Sequence, residues 1–193
     1  LRQAQRADSA AHALPLRLAE VLASVDGGTD EGLFAAQRAL DLGADPARVA
    51  VARAELLQIA GRVDEAVAAL REAAAASPSP AVFAAWARMS AGVDERLAAA
   101  RAFTAAFPDD VEAWRQLGAA HEIAGDRAAA ADAYATAAFD AGGTPRDAYR
   151  ELQLVAAQED WTALDARATR CVERFWEYWP CRSWRAVARW RLA

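Results

Sequence analysis

The chain has 193 residues, 55% of them apolar, and a formal net charge of −5. No stretch approaches the roughly 18 consecutive apolar residues of a membrane-spanning helix, and the mild acidity argues against nucleic acid as the main partner. The apolar content is dominated by alanine, the strongest helix former, so helices are favoured and strands poorly supported.

Lysine and asparagine are absent, and all 22 basic residues are arginine. Both missing residues use A-rich codons, which points to a GC-rich bacterial genome, with a cytoplasmic or periplasmic location left open. Because the chain begins at Leu1, a cut or processed form of a longer chain is expected.

In chain order, residues 1–10 read as the tail of an earlier helix. Leu14–Ser24 and Thr29–Leu42 form a first helix pair around Gly27, with Gly43 as a left-handed cap and Asp45-Pro46 opening the next helix. A second pair over 46–78 turns at Gly61, 34 residues after Gly27. Val63-Asp64-Glu65 recurs as Val93-Asp94-Glu95, and Pro78 recurs as Pro108, a shift of 30. The third pair, 79–108, is therefore about one helical turn short, and the deletion falls in Ser79–Ser90.

The fourth pair, 109–142, repeats the second at a spacing of 64, matching Gly61 to Gly125, Ala66 to Ala130, Leu70 to Tyr134 and Ala73 to Ala137. The fifth, 145–178, joins Arg146–Ala157 to Asp160–Tyr178, with Glu159 in the turn slot 34 after Gly125. Cys181–Arg191 reads as the first helix of an unfinished repeat. Each pair has apolar faces too wide for two helices to bury alone, so neighbours must stack. Acidic residues at 64–65, 94–95 and 109–110 fit helix starts, where carboxylates offset the dipole.

Trp114, Leu117, Gly118 and His121, followed by Ala130, Tyr134 and Pro145, resemble the signature of the tetratricopeptide repeat, with His for its Tyr and Tyr for its Phe. The resemblance implies an all-α superhelix, one solenoid domain over 1–193, acting as a non-catalytic scaffold that takes a protein or peptide segment in a concave groove. It places Glu55 and Gln58 of the second pair in that groove. From the later pairs it places Ala85, Arg88 and Met89, then Arg115, Ala119 and Glu122, then Tyr149 and Gln153. Chaperone-binding members hold a terminal carboxylate with lysine and asparagine, neither of which occurs here.

A docking module of a larger bacterial secretion or envelope-assembly protein is one placement. A sensor domain for a small ligand or signalling peptide and an enzyme-accessory subunit are the alternatives.

Searches for reactive chemistry come up short. Gly27-Gly28 and Gly142-Gly143 lack the further residues of a phosphate loop and read as turns. His121-Glu122 begins like a zinc-protease helix, but Gly125 stands where the second histidine belongs. His12 has no nearby partner, so no metal or cofactor is expected, and His121 reads as packing. Both histidines fall far from every serine-rich turn, so no nucleophile–base pair is proposed.

If the last long helix runs to Tyr178, Cys171 stands about 10 Å from the turn, beyond the roughly 7 Å reach of a disulfide. Two buried free thiols are then expected; an earlier helix end permits a bridge in an oxidising compartment.

The last 33 residues hold five of the seven tryptophans and seven arginines against Asp165, Glu173 and Glu177. Trp161, Leu164, Ala168, Cys171, Phe175 and Trp179 form one apolar stripe, expected in the core. In the final helix, Trp184, Val187 and Trp190 are assigned to one side, and Arg182, Arg185 and Arg189 to the other. An end cap is the expectation there, with self-association or partner contact next and a membrane surface last.

Overall fold

The computed structural model describes residues 12–23 and 28–193. The expected helix tail at 1–10, Ser24 and the turn glycine Gly27 lie outside the described residues. Among those described there are eleven helices and no strand, grouped in two compact units that divide between Ala91 and Gly92.

The first unit contains α1 (Ala13–Leu22), α2 (Thr29–Asp41), α3 (Pro46–Ile59), α4 (Val63–Ala76) and α5 (Pro80–Met89). Consecutive helices pack on one another, and the first helices of successive pairs also touch, α1 on α3 and α3 on α5. Its core joins Leu16 and Ala19 to Ala35, Ala36 and Ala39, and to Val49, Ala52 and Leu56. Alanine makes that close approach possible. At Gly32 a Cβ would stand 2.5 Å from Leu56 Cδ2, so the buried Leu56 side chain would have to shift to admit one.

The Asp45 side chain accepts the Ala47 N–H at the start of α3, and Pro46 occupies a first-turn position that needs no donor. Helix α5 has 10 residues against 14 in α3, the missing turn expected from the 30-residue shift.

The second unit contains α6 (Val93–Ala106), α7 (Val111–Ala124), α8 (Arg127–Phe139), α9 (Pro145–Ala156), α10 (Trp161–Arg174) and α11 (Trp179–Leu192). Asp110, Asp126 and Asp160 cap α7, α8 and α10 by accepting backbone N–H groups in the first turn. The turns use the left-handed region at Gly61, Gly125 and also Glu159, whose φ is 59°. The repeat slot therefore imposes its backbone on a residue without glycine's freedom.

The core of this unit runs through Ala130, Ala131 and Ala138, then Ala148, Leu152 and Val155, then Leu164, Ala168 and Cys171, and on to Cys181 and Ala188.

The last long helix ends at Arg174, not Tyr178. Phe175 leaves the helical region as the C-cap, and Pro180 takes a first-turn position of α11, where its missing N–H costs nothing. The freed Trp176 carbonyl accepts from the Arg182 guanidinium. The early break brings Cys171 and Cys181 to a Cα separation of 5.7 Å, and they form a disulfide, so the expectation of two free thiols is overturned. The break also ejects Trp179 from the expected core stripe, leaving it 70% exposed.

Candidate partner-docking face

In the first unit, Arg88 Nη2 on α5 donates to Glu55 Oε1 on α3 at 3.3 Å. Gln58 is exposed one turn further along α3. Ala85 and Met89 do not join them. Helix α5 is apolar on nearly every side and buries Val82, Phe83, Ala85, Trp86, Ala87 and Met89, the last with 4% of its surface exposed. Met89 is therefore packing, and its assignment to a partner surface is corrected.

In the second unit, the exposed side of α7 and α9 is a set of polar groups already tied together. Arg115 donates from Nε and Nη2 to the two Asp147 oxygens at 2.7 and 2.8 Å. Asp147 also accepts from the Thr144 N–H at 2.7 Å and its hydroxyl at 2.9 Å, closing a capping box at the start of α9. Burial pushes the Asp147 carboxyl up, but the bonds from Arg115 and Thr144 outweigh it and hold the pKa below the ordinary value.

Two turns along α7, Glu122 accepts from both ends of the Arg150 guanidinium, and Arg150 Nη1 donates to Gln153 Oε1 at 3.2 Å. Tyr134 behind them has its hydroxyl pKa raised, first by burial and then by its bond to Glu122. Ala119 is half-buried between the two clusters. Tyr149 stands edge-on to Tyr178 with ring centroids 6.3 Å apart.

Two recesses adjoin this face. One, of about 570 Å³, is bordered by Arg115, Thr144, Pro145, Arg146, Asp147 and Tyr178. The other, of about 390 Å³, is bordered by Pro145, Arg174, Phe175, Trp176, Glu177 and Tyr178. Sequence reasoning missed Arg174, Trp176 and Tyr178 because it carried the helix to 178, and Arg146 because no repeat slot singles it out.

One turn beyond Asp147 on α9 is Glu151, which is fully buried. Its Oε1 accepts from Arg167 at 3.0 Å and Arg170 at 3.2 Å, while Arg167 also donates to Asp132 at 2.7 Å. Burial raises the Glu151 pKa more than the two arginines lower it. This network ties α8, α9 and α10 together.

At the chain end, Trp184 packs on the core beside Cys181 and Ala188, whereas Trp190 is 72% exposed. Six residues apart on a helix, Trp184 and Trp190 stand about 120° apart, so the assignment of both to one side is corrected. Arg189 donates to Asp165 at 2.8 Å, Arg182 is bound to the Trp176 carbonyl, and Arg185 has no ion-pair or hydrogen-bond partner among the described residues.

His121 is largely covered, with Nδ1 3.9 Å from Asp126 Oδ2, beyond hydrogen-bond range. Among the described residues no three His, Cys, Asp or Glu gather as metal ligands, and no helix is long and apolar enough to cross a membrane.

No family model matches the chain, and no curated relative matches it in sequence. Solved structures do match it in fold. TTC0263, a thermophilic TPR protein of Thermus thermophilus, shares 19% identity over 92% of this chain and 98% of its own, at a TM-score of 0.52. Pseudomonas aeruginosa PilF shares 13% over 92% and 90%, at 0.60. YrrB, a TPR protein with an unusual peptide-binding site, shares 16% over 93% and 94%, at 0.54. At such identities the likeness is one of fold: this chain has the all-α tetratricopeptide-repeat architecture.

Proposed function

We propose that this chain, with its tetratricopeptide-repeat fold, is a non-catalytic docking scaffold that holds a segment of a partner protein against its first-helix faces. The observation that carries the reading is the pre-ordered polar face of α7 and α9. There Arg115 with Asp147, and Glu122 with Arg150 and Gln153, are fixed by each other rather than converging on a reactive centre. Such a face presents donors, acceptors and the Tyr149 ring at little further ordering cost.

YrrB, of the same fold, has a peptide-binding site, which supports the same use here. Glu55, Gln58 and Arg88 form the corresponding patch of the first unit. A role inside a larger bacterial secretion or envelope-assembly protein fits this reading. The small-ligand alternative loses Met89, and the enzyme-accessory alternative loses His121 as a hydrogen-bonded acid–base pair.

Affinity capture from a GC-rich bacterial lysate tests the assignment. The double variant Tyr149→Ala/Gln153→Ala removes two contact groups while sparing the Arg115–Asp147 bond. Loss of specific partners in that variant is expected, and an unchanged partner list overturns the docking face.

A further inference from the structure

We propose that the two recesses astride Tyr178 form one binding site for an acidic polypeptide segment that carries a large apolar side chain. This rests on the scaffold reading above and names the chemistry of its partner. The recesses share Pro145 and Tyr178 as a common wall, so a single extended segment can enter both. Both recesses are wide open to solvent, so a segment would lie along them rather than be enclosed.

The apolar component comes from rings. Phe175 is braced by Phe139 at a centroid distance of 5.7 Å, Tyr178 by Tyr149, and Trp176 is 64% exposed beside them. Covering that indole removes apolar surface from water, which favours a large apolar ligand side chain.

The charge component is lopsided. Arg115 is bound to Asp147 and also lies 3.8 Å from Glu112, so it is not available to a ligand. Arg146 on one recess and Arg174 on the other have no ion-pair partner among the described residues, and Glu177 alone opposes them. Neither guanidinium has a carboxylate partner among the described residues, Arg174 lying 5.7 Å over the Phe175 ring, and the two flank an aromatic cleft where they favour carboxylates on the ligand.

The site is also preformed. The Cys171–Cys181 disulfide closes the loop that supplies Phe175, Trp176 and Tyr178. Within that loop, Tyr178 N–H donates to the Phe175 carbonyl at 2.9 Å and Arg182 holds the Trp176 carbonyl. Reduction of the disulfide therefore weakens binding by loosening one wall.

The test uses the whole oxidised chain and three labelled seven-residue peptides: phenylalanine flanked by glutamates, phenylalanine flanked by lysines, and alanine flanked by glutamates. Fluorescence anisotropy is expected to show the first binding at least tenfold tighter than the other two. That affinity should fall at least tenfold in Arg146→Glu/Arg174→Glu, in Trp176→Ala and after reduction.

All three substituted side chains are exposed, so far-UV circular dichroism should be unchanged; if a variant fails to fold, the ranking of the three peptides on the wild-type chain decides. Equal affinity for the lysine peptide, undiminished binding in the folded variants, or binding to phosphatidylglycerol vesicles with none to the acidic peptide overturns the proposal. Partner capture that depends on Tyr149 and Gln153 while all three peptides fail would sink this site and leave the scaffold reading standing.

Discussion

At the scale of single residues, Asp147 joins the most interactions. One carboxylate caps α9 through Thr144 and fixes Arg115 on α7, so its loss removes a cap and leaves a guanidinium without its partner. Asp147→Ala is expected to cost about 2 kcal/mol at pH 7, combining a cap worth about 1 kcal/mol with a partly exposed charge pair. Its folded pKa lies below the unfolded value of about 3.9. The stability it contributes is therefore present above that value and lost as pH falls through the folded one.

Urea denaturation should show the Asp147→Ala deficit shrinking between pH 7 and pH 3; a constant deficit contradicts the linkage. Glu151 has the opposite sign: with its folded pKa raised, its contribution is full below the unfolded value and drains as pH rises through the folded one.

Gly118 shows why the repeat requires glycine in that slot. A Cβ there would stand 2.8 Å from the Tyr134 ring. Gly118→Ala should destabilise by about 1 kcal/mol net, the overpacking of about 1–3 kcal/mol exceeding the helix-propensity gain of about 1 kcal/mol. Tyr134→Leu in the same chain should relieve it, and a double-mutant cycle measures that coupling. The slots of Gly118, Ala130 and Tyr134 were legible because they recur at short fixed spacings. The partner of Arg115 was not, since Asp147 is 32 residues away and nothing periodic links them.

At the scale of elements, the decisive feature is the break between α10 and α11. The ten-residue spacing of Cys171 and Cys181 permitted two outcomes, and the helix end chose between them. Pro180 fits either helix end; the break at Phe175 is accompanied by the Arg182 side chain taking up the Trp176 carbonyl, a contact no sequence pattern marks. By the loop-entropy relation, the bridge is worth about 3 kcal/mol.

Reduction, or Cys171→Ser/Cys181→Ser, should lower the unfolding free energy by about that amount and speed hydrogen exchange first in α11. Exchange unchanged in α11 contradicts a clamping role. Bridges of this kind belong to oxidising compartments. The shortened α5 was legible from the 30-residue shift. The exposed side of α11 was misassigned because a rough alternation of Trp and Arg hid a 120° angle.

At the scale of the whole molecule, the architecture was readable because stacking repeats buries a periodic set of positions, and that period survives in the sequence at Gly61, Gly125 and Glu159. Docking positions obey no such constraint. They face solvent, so the pattern marks only the proposed docking face, and ion pairs between neighbouring helices decide which groups are free. Arg115 is thus spoken for, while Arg146, which no repeat slot singled out, is available.

The central claim is that partners are held on the α7–α9 face. A photo-crosslinking amino acid at position 153, compared with one at exposed Thr162 on α10, tests it most directly in cells that make the chain. Discrete partner adducts are expected from 153 and none from 162; equal labelling from both positions, or adducts from 162 alone, would contradict it.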